Sequence, residues 1–193
     1  MTPQTPAQTR RSRMLLLAIA ALFFGSLGLA GILRFSGWHP PATKAHGELL
    51  QPPTDLRRLT PLESNGSPYR WTPAQRTWRI ALAPPADCAQ ACVELGRQLL
   101  TVWQLMGPDA EHLQVLWIGE PPREIPRGGA LHVLQPDPAL RARLPRVQPV
   151  GGEAAQGVPV YVIDPNGFVI LRYAPGFDPA GLRADLAKLL KLM

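Results

Sequence analysis

The chain has 193 residues, 46% of them apolar, with 20 Lys and Arg against 14 Asp and Glu for a net charge of +6. Arg10, Arg11 and Arg13 supply half of that surplus, and the remaining bases are scattered among acids with no stripe interleaved with aromatics. This composition gives no signature of nucleic-acid binding.

Met14 to Leu33 is a run of 20 uncharged residues. At about 1.5 Å per helical residue it reaches across a hydrocarbon core of about 30 Å. The arginines before it predict residues 1–13 as a cytoplasmic basic head, 14–33 as a transmembrane helix and the rest outside. A cleaved signal peptide is the rival reading, but the run exceeds the roughly 7–15 residues of a typical apolar core, which favours an uncleaved anchor. One span and a small exported domain suit a bacterial inner membrane with a periplasmic C-terminal domain.

Residues 34–76 carry seven prolines (Pro40, Pro41, Pro52, Pro53, Pro61, Pro68 and Pro73) and read as an extended, irregular lead-in or linker. Leu49, Leu50, Leu56, Leu59, Leu62 and Trp71 could pin it to the domain after it. Residues 77–193 are long enough for one domain. A strand is predicted over Trp78–Ala83, then a helix from an Asp87 cap to about Met106, stopped by Gly107-Pro108. Short strands come next at Leu113–Ile118 and Leu131–Leu134, with a loop over 119–129 between them and a short helix after them at Pro138–Leu144. Pro159–Ile163 and Phe168–Tyr173 read as a hairpin closed by Asp164-Pro165-Asn166-Gly167, with Asn-Gly at the positive-φ positions. A last helix is capped by Asp178 and runs to about Leu192, with Leu182, Leu186, Leu189 and Leu190 on its apolar face. Strand–helix–strand demands a parallel right-handed crossover and the hairpin is antiparallel. The expected fold class is therefore α/β: a thioredoxin-like mixed sheet flanked by helices.

Cys88 and Cys92 are the only cysteines. Four apart at a helix start, they can share a metal or form a disulfide, and the helix N-terminus favours their thiolates. A structural staple or core packing is the competing reading, since Cys88, Cys92, Leu95, Leu99, Val102, Trp103 and Met106 fall on one helical stripe.

Cys88-x-x-x-Cys92 after a first strand resembles the SCO/SenC copper chaperones of cytochrome c oxidase assembly. So does Tyr161-Val162-Ile163-Asp164-Pro165-Asn166-Gly167-Phe168, which is similar to their YLxDPxG hairpin, and so does the single N-terminal anchor. The lead-in His46-Gly47-Glu48-Leu49-Leu50-Gln51-Pro52-Pro53 also resembles small membrane proteins that accompany oxidase assembly factors. The resemblance implies copper at Cys88 and Cys92, and cytochrome c oxidase subunits or assembly factors as partners. The chain departs from the family at three places. Ala83-Pro84-Pro85-Ala86-Asp87 stands where the family carries an aromatic-rich strand end, Ala89 stands where a proline follows the first cysteine, and Gln156 occupies the neighbourhood of the family's ligand histidine, with no histidine from 133 to 193. His132 is then the best substitute ligand, with His46 second, while His39 and His112 lack a partner at metal-ligand spacing. With two thiolates, Cu(I) is better matched than Cu(II). Gly157-Val158-Pro159 is similar to the thioredoxin approach to a cis proline, so a cis bond is expected there.

Three functions remain open on the sequence: copper(I) handling or thiol redox in oxidase assembly, thiol–disulfide oxidoreductase activity with Cys88 and Cys92 as the catalytic pair, and a non-catalytic membrane module with a structural cysteine pair. Met1, Met14, Met106 and Met193 form no copper-binding cluster. Arg141, Arg143 and Arg146 read as a solvated basic face.

Overall fold

The computed structural model describes residues 6–36, 45–152 and 157–191. They fall into two units, Met1–Ala42 and Thr43–Met193. The first is one helix, α1 (Pro6–Phe35), whose Arg13–Phe35 stretch is long and apolar enough to cross a membrane.

The second unit is a six-stranded mixed sheet in the order β1-β6-β5-β2-β3-β4. Its elements in chain order are β1 (Glu48–Asp55), β2 (Trp78–Leu82), α2 (Gln90–Gln104), β3 (Leu113–Ile118), β4 (Leu131–Leu134), α3 (Pro138–Arg143), β5 (Val160–Ile163), β6 (Phe168–Tyr173) and α4 (Pro179–Leu190). β2, β3 and β4 are parallel neighbours, while β5, β6 and β1 run antiparallel to theirs. All five residues of β2 are buried, as its central place requires.

The two faces of the sheet pack differently, because side chains alternate along each strand. On one face Ile80, Leu82, Val115, Trp117, Val160, Val162 and Leu171 meet Cys92, Leu99 and Val102 of α2 and Leu182 and Leu186 of α4. Gly96 lets α2 come close: a Cβ there would lie 2.3 Å from Ile125 Cδ1 and 3.3 Å from Trp117 Cζ3. On the other face Ala81, Leu116, Leu134, Tyr161 and Val169 are covered by Leu140 and Leu144 of the α3 segment and by Leu56, Tyr69 and Trp71. Arg79 points into this second layer at 1% exposure. Its guanidinium meets Tyr69 Oη at 2.6 Å and the Thr77 carbonyl at 2.8 Å, and stacks over the Tyr69 and Trp71 rings.

The Pro-rich lead-in therefore supplies an edge strand and the cover of one sheet face, where the sequence predicts an irregular segment. β1 pairs with β6 through Glu48↔Arg172 and Leu49↔Leu171, shifts register across its prolines, and resumes at Thr54↔Val169. Prolines survive in it because an edge strand has one side without ladder partners. The hairpin also differs in detail. Gly167 alone takes a positive φ, 95°, while Asn166 does not. Gly167 N–H returns to Asp164 O at 3.1 Å, so the turn holds three residues rather than two.

Candidate redox site

After Leu82 the chain leaves the sheet through Ala83, Pro84 and Pro85. Neither proline has an N–H to give. Cys88 N–H donates to Pro85 O at 3.2 Å, which turns the chain before the helix begins. α2 starts at Gln90 with Ala89 at the cap position and no side-chain cap. The expected Asp87 cap is thus corrected: Asp87 lies in the preceding turn, and Cys88 stands outside the helix rather than on its stripe. This offset brings the sulfurs together. Cys88 and Cys92 form a disulfide with S–S 2.03 Å and Cα–Cα 5.6 Å.

The pair is asymmetric. Cys92 is fully buried in the α2-side core, and Cys88 is half-buried at its margin. A helix start favours negative charge on a sulfur beside it, because its first N–H groups lack partners one turn back. A groove of ≈ 340 Å³ lies between Ala91, Glu94 and Gln98 of α2 and Val158, Phe177 and Pro179.

The histidines do not join this pair. His132 stands opposite Leu116 in the β3–β4 register, on the face that carries Leu116 and Leu134. The sheet lies between it and Cys92, which packs on the other face. Burial pushes the His132 pKa down despite the charge of nearby Glu63. His46 is engaged elsewhere: its Nδ1 lies 3.1 Å from Asp185 Oδ1, and its backbone N–H donates to Asp185 Oδ2 at 2.5 Å. His112 closes the turn before β3, 3.5 Å from Glu111. His39 and Gln156 lie outside the described residues. The Val158–Pro159 bond is trans, correcting the expected cis bond; the cis bond among the described residues is Gln51–Pro52.

These positions decide the fit to copper. Among the described residues no three His, Cys, Asp or Glu side chains converge on a point that could hold a metal. The sulfurs are bonded to each other, and the imidazole expected beside them faces the other layer. Among the described residues the donor set does not fit a copper site of two sulfurs and a histidine.

Two features escaped the sequence. Arg141, expected on a solvated face, is half-buried and donates from Nη1 to Ala83 O at 2.5 Å and Pro84 O at 3.1 Å. Its neighbours behave differently: Arg143 is exposed, and Arg146 pairs with Glu48. The second feature is Asp185, 3% exposed, which receives His46, Gly47, Tyr173 and Lys188. Burial opposes its charge, but these donors outweigh burial and hold its pKa at about 2. Only long-range pairing marks these two residues out. In the sequence each is one charge on a short helix.

Several solved structures share this fold. The chain is similar to BsSco, a member of the Sco family of cytochrome c oxidase assembly proteins, with 10% identity and TM-score 0.54 over 76% of this chain and 98% of that one. It is similar to apo Sco1 of Thermus thermophilus at 17% identity and TM-score 0.53, over 80% and 100% of the two chains. It is also similar to yeast Sco1 with copper bound, at 13% identity and TM-score 0.52, over 76% and 93%. No curated protein sequence matches the chain. Residues 78–193 match the family model described as transmembrane-like, thioredoxin-like, C-terminal domain, and the chain belongs to that family.

Proposed function

We propose that this protein is a membrane-anchored thiol–disulfide exchange factor in cytochrome c oxidase assembly, its thioredoxin-like domain on the periplasmic side of a bacterial inner membrane. The observation that carries the reading is the asymmetric disulfide, with Cys88 at the margin and Cys92 in the core. A half-buried sulfur at the margin paired with a fully buried one divides the labour of exchange. In the reduced chain Cys88 Sγ, as thiolate, attacks a partner disulfide. One partner sulfur leaves and takes a proton, and a Cys88–partner bond forms. Cys92 Sγ then attacks Cys88 Sγ, releasing the second partner thiol. Two electrons pass to the partner and the Cys88–Cys92 bond is restored.

Oxidase assembly enters through the Sco likeness, and the disulfide switch described for BsSco supports a redox use of such a pair. Copper carriage is the rival. The two thiolates of the reduced pair are soft ligands suited to Cu(I), and copper is bound in the yeast and Arabidopsis Sco structures. The absence of a converging third ligand among the described residues favours exchange.

The test uses the full chain in detergent, reduced and then mixed with the oxidised dithiol domain of an oxidase copper subunit. Stoichiometric reduction of that subunit is expected. Cys88→Ser abolishes it, and Cys92→Ser stalls as a mixed disulfide. A wild-type chain that transfers no electrons overturns exchange. Tight one-to-one Cu(I) binding against a competing chelator, lost in the double serine variant, would install copper carriage in its place.

A further inference from the structure

Resting on that redox reading, we propose that Arg141 is the positioning residue that sets the poise of the Cys88–Cys92 pair, by anchoring the loop that delivers Cys88.

Ala83 is buried in the second layer, but Pro84 beyond it is half-buried and Pro85 and Ala86 are exposed. Pro84 and Pro85 offer no N–H, so the loop cannot pair as a strand would. On one side it borders an open cleft of ≈ 390 Å³, lined by Pro84, Pro85 and Ala86 across from Gly119, Glu120, Asp137 and Arg141. Packing is absent there, and the guanidinium spans the gap. Both hydrogen bonds of Arg141 Nη1 end on this loop, at Ala83 O and Pro84 O. Arg141 pairs with no carboxylate among the described residues, and its Nη1 is committed to these carbonyls.

The anchor is itself fixed. Asp137 caps α3 by accepting from Ala139 N and Leu140 N, at 2.8 and 3.0 Å. Leu140 and Leu144 are buried in the second layer at 1% and 3% exposure. Position then passes along the loop: Arg141 fixes the Ala83 and Pro84 carbonyls, and Pro85 O receives the N–H of Cys88. Arg141 thus reaches the site through backbone, from the sheet face opposite Cys92.

The two redox states need this anchor unequally. In the oxidised chain the S–S bond holds the Cys88 loop in place by itself. In the reduced chain the loop keeps Cys88 Sγ near Cys92 Sγ only as firmly as it is tethered. A tether that raises the local concentration of one thiol at the other favours the disulfide. Removing it penalises disulfide formation and makes the pair easier to reduce.

The measurement is the equilibrium between dithiol and disulfide in the full chain in detergent, across glutathione buffers, with free thiols counted by alkylation. Arg141→Ala is expected to lower the equilibrium constant for disulfide formation about tenfold, a shift of about 30 mV toward easier reduction. Arg141→Lys keeps a cationic donor and recovers most of the shift. Arg143→Ala, at an exposed position of the same helix, leaves it unchanged. An Arg141→Ala midpoint within twofold of wild type, with only the melting temperature lowered, overturns the proposal and leaves Arg141 a structural support. If the alanine variant does not fold, Arg141→Gln carries the same expectation. A wild-type pair that no glutathione ratio reduces without unfolding the chain sinks the redox reading, and this inference with it. A wild-type pair that titrates beside an unshifted variant sinks this inference alone.

Discussion

Five donors converge on Asp185: two backbone N–H groups (His46, Gly47), the His46 ring when Nδ1 carries the proton, Tyr173 Oη and Lys188 Nζ. They tie the start of the lead-in to α4 and to β6. A carboxylate held at about 2 instead of 3.8 contributes about 2 kcal/mol of stability. Because its folded pKa is depressed, the contribution is complete above pH ~4 and lost as pH falls toward 2. Unfolding free energies of wild type and Asp185→Asn, from urea titrations, should therefore differ by about 2 kcal/mol at pH 7 and converge near pH 2. Equal values at pH 7 would show that the clamp is not stabilising. At this scale the sequence disclosed the two cysteines but not their asymmetry. It offered His132 as a ligand because strand alternation alone does not say which face a four-residue edge strand turns to the helices. That choice needed the register with Leu116.

At the scale of elements, the close approach of α2 to the sheet depends on Gly96. Gly96→Ala drives a methyl into Ile125 and against Trp117, and should destabilise the domain by about 1–3 kcal/mol in thermal or urea unfolding. An unchanged midpoint would mean that Ile125, in a Pro-rich loop, gives way freely. Most elements were legible because their patterns are local: the apolar runs of β3 and β5, the Pro138 start of α3, the Asp178-Pro179 start of α4, and the glycine of the hairpin. Asp178 accepts a helix N–H bond as its sequence implies, and Asp137, not singled out in the sequence, does the same for α3. β1 was hidden because Pro52 and Pro53 sit inside it, and prolines normally signal the end of a strand. The start of α2 was misplaced by two residues because Asp87 looks like a cap until Cys88 N–H is seen to bond Pro85.

For the whole molecule, the compact unit reaches back to Thr43, well before the first predicted core strand. Leu56, Tyr69 and Trp71 seal the face on which Arg79 is buried. A fragment beginning at residue 77 loses that seal and β1 together, and is expected to lack a cooperative melt. A fragment beginning at 43 should melt cooperatively, and identical melts for the two would refute the lead-in as cover. The charge placement before the apolar run of α1 predicts that a reporter enzyme active only outside the cytoplasm works when fused after Met193. Replacing Arg10, Arg11 and Arg13 with glutamate should reduce that signal several-fold. The long apolar helix and the fold class were readable from hydropathy and element order. Which face of the sheet each lead-in residue covers was not, because it depends on contacts between distant segments.

Gly96 sits one helical turn beyond Cys92, on the same side of α2, and its missing side chain admits Trp117. The consequence is optical. An indole held within a turn of a disulfide is exposed to a quencher that vanishes when the bond is reduced. The emission of this chain should brighten on reduction, and Trp117→Phe should remove most of the change. The protein would then report its own oxidation state, without a label, to anyone watching its fluorescence.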